Sequence, residues 1–398
     1  MSAAPSVRAE TDGPALVRPR RLLTVLGVVF GLAVVVGNTI GIGILATPGT
    51  IARLLPNGPL FIAAWLFGAS YALLGANSFS ELATMMPESG GYTVFVRRAF
   101  GEYAGFVIGW SDWLVTCSAL ALAARLVGDY AVKLFALNSR LATPIAVVLV
   151  LGFAVLQWRG IKTGSRAQTW TALAKTLTFA VLIGACFAIG ATVAGDTSAP
   201  AQLPHGFSFF AVIVLAIQSV IFTYDGYYGI IYFTGELKEP DRDIPRIMFG
   251  GVAAVALVYV LLNLAFMYVL PLDRMAGDSL VAATAARAVF GANGDAIIRV
   301  LTIVSLISAA NASALMASRV LYRLGSVGYL KGGANVNSGG TPTTGLLLST
   351  LAALTLVLTG TFDQVLAVTA FFFVANYSLA FGSLLLLRRT APAIRSCP

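Results

Sequence analysis

Long apolar runs alternate with short polar segments along nearly the whole chain. Ten such runs lie at about 24–54, 59–84, 101–133, 142–158, 167–194, 207–235, 247–270, 295–324, 344–359 and 362–387. A helix rises about 1.5 Å per residue, so some 20 apolar residues cross a hydrocarbon core about 30 Å thick. The pattern predicts an all-α membrane protein with about ten transmembrane helices. Two of the runs are interrupted within their own length. "GNTIGIGILATPG" (37–49) falls in the first, and "FTYDGYYG" (222–229), with an aspartate and two glycines, falls in the sixth.

Composition sharpens the picture. The 398 residues are 58% hydrophobic and only 11% charged, against about 25% charged in soluble domains. The net charge of +9 would suit a nucleic-acid binder, but its placement points elsewhere. With the N-terminus inside, the inner segments carry about three times as many Lys and Arg residues as the outer ones, which is the positive-inside pattern. The basic balance therefore answers to membrane lipid, not nucleic acid. This predicts a cytoplasmic (plasma or inner) membrane protein with both termini cytoplasmic.

Residues 1–21 lack the apolar centre of a signal peptide and read as a disordered cytoplasmic tail. Residues 390–398 read as a second, short tail, and "KGGANVNSGG" (331–340) as a flexible cytoplasmic loop. Cys117 and Cys186 fall inside spans, and Cys397 and the single histidine, His205, stand apart from them. No metal site or cofactor is expected.

Thr39 stands roughly midway between Arg21 and Arg53, so the first break lies near mid-membrane. Non-helical backbone is tolerated there only where it is buried in protein or lines a polar cavity. Asp225 puts an ionisable group into the second break, which marks a functional site by default. Glycines that merely let helices pack closely would explain one break better than a matched pair. Here the breaks open runs one and six, which cross in opposite directions. This predicts two inverted repeats, 22–200 with helices 1–5 and 201–389 with helices 6–10, and a transporter's binding site at the breaks. N–H groups at a half-helix start attract anions, and carbonyls at the preceding end attract cations. A ligand with carboxylate and ammonium a bond or two apart fits both, and that is an α-amino acid.

"IGIGIL" (40–45), "SELATMMPESGGYTVFVRRAFG" (80–101) and "GELKEPDRDIPR" (235–246) resemble the amino acid–polyamine–organocation superfamily, over about residues 22–389. The resemblance implies the five-plus-five inverted-repeat bundle first described in a leucine transporter, with helices 1 and 6 discontinuous. It also implies amino acid transport by alternating access. By the same resemblance, the amides of Gly41, Ile42 and Gly43 hold the substrate carboxylate. The carbonyls of Ile40, Phe222 and Asp225 receive the ammonium, the Phe222 ring closes over the substrate, and Tyr224 and Gly226 belong to the same site. Tyr227 stands where members of the family carry tryptophan, which leaves side-chain selectivity open. Many members have twelve spans, against ten read here.

Lys175 is nine residues past Arg166, about 14 Å into the membrane. A cation so deep must be met by carbonyls of the broken first helix or give up its charge. The resemblance adds that proton-dependent members keep a lysine where sodium-dependent relatives hold an ion, which points to proton coupling at Lys175. Arg125 and Asp129, one turn apart, read as a structural ion pair. Asp112 and Glu81 read as helix anchors, and "FFFVANY" (371–377) reads as packing. Asn311 and Asn376 stand in N-x-S sequons inside spans, where glycosylation is not credible.

The function read from these residues is a secondary permease for an amino acid, with proton coupling. Exchange without protons and a non-transporting sensor are the alternatives. No HExxH or GxSxG set suggests an enzyme, and two unique breaks in non-equivalent helices suit a single binding site better than a channel filter.

Overall fold

The computed structural model describes residues 22–190, 203, 206–359 and 362–390. The expected tail 1–21, residues 391–398 of the second tail, His205, Cys397 and the 191–194 end of the fifth run lie outside the described residues. The helices are α1 (Val28–Thr39), α2 (Gly43–Leu54), α3 (Gly58–Met85), α4 (Tyr92–Phe100), α5 (Glu102–Leu134), α6 (Ala142–Trp158) and α7 (Ile161–Ile189). They continue as α8 (Phe207–Thr223), α9 (Pro240–Val269), α10 (Leu272–Met275), α11 (Val281–Phe290), α12 (Gly294–Ser326), α13 (Thr343–Thr359) and α14 (Phe362–Thr390). Each of the ten apolar runs meets one helix or one broken helix, and α1 and α2 form a single span bent by 46°.

Local chemistry sets several boundaries. Asn57 caps α3 by accepting the N–H of Leu60 at 3.1 Å, with proline in the first turn. The "KEPDRDIP" segment reads as a loop in sequence yet opens α9. Pro240 sits at the helix start and Asp241 and Asp243 occupy the first turn, where carboxylates favour the helix dipole. The flexible loop expected at 331–340 is instead a hydrogen-bonded turn. Asn337 Oδ1 accepts the N–H groups of Gly339 (3.0 Å) and Thr341 (2.9 Å), and its Nδ2 donates to the Trp158 carbonyl (2.8 Å).

The long helices α5 and α12 run along each other through the centre. Alanines dominate where α5, α6, α12 and α13 meet, among them Ala121, Ala124, Ala146, Ala310, Ala314 and Ala353. Lipid chains are as apolar as these side chains, so packing here rests on close approach of small residues. A larger apolar cluster joins α1, α3, α9 and the second half of broken helix six.

Both ends of the described chain reach the same end of the bundle, the terminal end, where Arg388 pairs with Glu81 and Arg323 with Glu88. Arg319 is wholly buried in α12. It pairs with equally buried Glu236 at 3.0 Å, and its guanidinium lies 5.3 Å from the centre of the Phe233 ring. Leu26 exchanges backbone bonds with the segment after helix six: its N–H donates to the Glu236 carbonyl (2.9 Å) and its carbonyl accepts from Lys238 (3.0 Å).

Candidate substrate site at two broken helices

The two breaks touch. α1 ends at Thr39 and α2 resumes at Gly43; α8 ends at Thr223, and the chain continues as a 3-10 segment, Tyr227–Tyr232. Asn38 Nδ2 donates to the Gly226 carbonyl at 3.0 Å. Gly226 takes φ +106°, and a Cβ there would stand 2.9 Å from the Asn38 backbone, so both conformation and space require glycine. The Tyr259 hydroxyl on α9 lies 2.9 Å from the carbonyls of Thr39 and of Thr223. One phenol thus spans the ends of both half-helices. Thr223 also donates to Thr47 Oγ1 at 2.9 Å, closing α8 onto α2.

At the first break, Lys175 Nζ donates to the carbonyls of Gly37 (2.7 Å) and Ile40 (2.6 Å). Ser305 on α12 adds a bond to the Ile40 carbonyl at 2.9 Å. A carbonyl has two lone pairs, and Lys175 and Ser305 engage both of those of Ile40. The first N–H groups of α2 have no intrahelical acceptor. A Cβ on Gly41 would meet nothing within 4 Å, whereas one on Gly43 would press on Thr223 Cγ2 at 3.3 Å. The open space therefore lies at Gly41, and Gly43 serves the approach of α2 to α8.

At the second break, the Asp225 carboxylate accepts the Tyr377 hydroxyl at 2.7 Å. It faces a cavity of about 230 Å³ lined by Tyr71, Ile221, Tyr227, Phe373, Tyr377 and Phe381, among others. A wider cavity of about 960 Å³ lies between α2, α8 and α14, reaches Thr47, Thr50 and Arg53, and shares Ile221, Phe373 and Val374 with the smaller one. The Phe222 ring is 61% exposed and lines this wider space, so it is not folded over the break. Its carbonyl accepts from Asp225 N–H at 3.3 Å. The Tyr224 side chain points away from the break, donating to the Trp65 carbonyl at 3.2 Å and stacking near Tyr259; it ties α8 to α3.

Arg125 and Asp129 pair at 3.4 Å, and Arg125 also reaches Thr143. Asp112 holds the Tyr232 hydroxyl at 2.7 Å. Asn311 is buried against Gln168, and Asn376 against Ser111. Sequence reasoning missed Tyr259, Ser305 and Tyr377. Tyr259 lies in the apolar stretch of α9, Ser305 is one of several buried polar residues on α12, and Tyr377 lies in the aromatic run assigned to packing.

The amino acid permease family profile matches residues 22–396. The chain belongs to the amino acid permease family. This permease is 28% identical over 376 residues to the serine/threonine exchanger SteT of Bacillus subtilis (strain 168), covering 92% of this chain and 84% of SteT. It is 27% identical over 316 residues to b(0,+)-type amino acid transporter 1 of Homo sapiens, covering 77% of this chain but only 63% of that protein. Among solved structures, the inward-facing conformation of Mhp1 superposes with a TM-score of 0.57 at 14% identity, over 96% of this chain and 82% of Mhp1. The permease thus has the leucine-transporter-type fold. The family and these relatives are transporters rather than enzymes, and the helices are those of an integral membrane protein.

Proposed function

We propose that the chain carries an α-amino acid across the cytoplasmic membrane by alternating access, coupled to protons through Lys175. Residues 22–200 and 201–389 act as inverted repeats, and both termini face the cytoplasm. The observation that carries the reading is the contact of the two breaks beside the open space at Gly41. The N–H groups of Gly41 and Ile42, with Gly43 behind them, take the substrate carboxylate. The ammonium lies toward the second break, where Asp225 supplies a carboxylate and the turn at Tyr224–Gly226 supplies backbone. Phe222 swings from the wide cavity to cover the bound substrate.

Lys175 holds α1 through charge-assisted bonds to Gly37 and Ile40. Loss of its proton weakens both bonds and frees the inner half of the helix, linking a pH gradient to the gate. Exchange without protons is the second reading, favoured by the likeness to SteT, whose name describes an exchanger.

The test is uptake of radiolabelled amino acids into proteoliposomes, with and without an imposed pH gradient. Accumulation driven by the gradient supports symport. Exchange alone, indifferent to the gradient, supports the second reading, and binding without flux would leave a sensor.

A further inference from the structure

We propose that a buried column of tyrosines passes protons between Asp225 at the second break and Asp112 on α5, at the terminal end. The inference rests on the reading of the chain as a proton-responsive carrier and adds a proton step in series with Lys175, so that blocking either one stops gradient-driven uptake.

Both ends of the column are anchored. Tyr377 donates to Asp225 Oδ1 and Tyr232 donates to Asp112 Oδ1, each at 2.7 Å. Between them stand Tyr228 and Tyr92. Ring centres are 5.3 Å apart from Tyr377 to Tyr228, 5.3 Å from Tyr228 to Tyr92, and 6.3 Å from Tyr92 to Tyr232. The four phenols come from α14, the 3-10 segment and α4, so three separate elements converge to build the column.

Packing alone would be served as well by phenylalanine, since ring contacts do not need the oxygen. The oxygens are costly where they stand. Asp112 Oδ2 and the hydroxyls of Tyr92 and Tyr227 are buried without a partner. Leaving a buried polar group unpaired costs about 1–3 kcal/mol. Tyr227 lines the cavity at Asp225 and Tyr92 stands between Tyr228 and Tyr232, so these oxygens are spread along the column, where water bridging two or more polar partners would join them.

A phenol both donates and accepts. A proton arriving at one hydroxyl oxygen displaces that hydroxyl's own proton to the next acceptor. Each tyrosine ends neutral, one carboxyl loses a proton and the other gains one.

Within electrostatic reach of Asp225 are Tyr377 from α14, Tyr71 from α3, Tyr227, Tyr228 and Tyr232 from the 3-10 segment, Tyr92 from α4 and Tyr259 from α9. Facing Asp112 are Tyr232, Tyr228 and Tyr92. The buried Arg319–Glu236 pair beside Phe233 satisfies itself. Lys175 bonds the Gly37 and Ile40 carbonyls and meets neither aspartate.

The experiment uses the full chain in proteoliposomes with a pH dye trapped inside. Tyr228→Phe, Tyr92→Phe and Asp112→Asn keep size and packing while removing a relay oxygen or its titration. Gradient-driven uptake and accompanying proton entry should fall about tenfold or more. Exchange at equal pH should stay within about twofold of wild type, well inside the span of a single lost hydrogen bond. Full gradient response in both Tyr→Phe proteins overturns the relay. So does an equal fall of exchange and gradient response, which would assign the column to packing, or a wild type that exchanges but ignores the gradient. A wild type with neither exchange nor uptake would sink the carrier reading itself.

Discussion

The two broken helices solve one problem, exposed backbone at mid-membrane, with different chemistry. The first break is built from glycine and isoleucine and contributes main chain. Its surplus carbonyls are met by a cation and a hydroxyl from neighbouring helices, Lys175 and Ser305. The second break brings its own carboxylate and a set of phenols, with Tyr377 on Asp225. One side is thus rich in N–H groups and braced by positive charge, and the other is acidic and aromatic. A zwitterion lying across the junction would find a complementary partner on each side, without any charged side chain needed for its carboxylate.

That contrast can be broken most severely at Gly41. Filling the open space there with Gly41→Leu should lower amino acid uptake by roughly 100-fold, the scale of a displaced reactive contact, while expression and size-exclusion profile stay normal. Normal uptake would move the ligand elsewhere.

Asp225→Asn removes the charge of the second break and keeps its shape. Substrate affinity should weaken by roughly 10- to 100-fold, as for loss of a charged hydrogen-bond partner, measured by competition binding. An unchanged affinity would reduce Asp225 to its backbone.

Lys175→Arg keeps the brace as a permanent cation. Exchange should persist and the response to a pH gradient should vanish, read as uptake at several external pH values. A normal gradient response would make the lysine a purely structural brace.

The smallest effect is expected at Tyr259, whose hydroxyl lies within hydrogen-bond reach of a carbonyl at each break. Tyr259→Phe should cost about 1 kcal/mol of stability, seen as a modest drop in the thermal midpoint with transport largely kept.

The architecture was legible because membrane crossing imposes length and apolarity on each helix, and because a break in such a helix is conspicuous. Gly226 and the contact of the two breaks follow from the same signal. Tyr259 and Ser305 were not legible, since a polar residue inside a membrane helix does not announce which backbone it will meet, and α12 carries several such residues. The partners of Ile40 were hidden for the same reason: its carbonyl is met by residues 135 and 265 positions away. The partner of Arg319 was not legible either, since only the fold brings Glu236 to it. The α4 and α11 helices were missed because neither is long enough to cross a membrane, and amphipathic segments of 9 and 10 residues give weak periodic signals.

The short backbone pairing of Leu26 with Glu236 and Lys238 has a mechanical consequence. It fastens the chain just ahead of α1 to the chain just behind the 3-10 segment, so the arms of the two broken helices at the terminal end share one anchor. Together with the Asn38–Gly226 bond, each arm is held at both its tip and its root. A tilt of one arm must drag the other, which reduces two independent flaps to a single lever. If these arms form the gate proposed above, that gate moves as one lever and has no half-open position through which solute could slip unescorted.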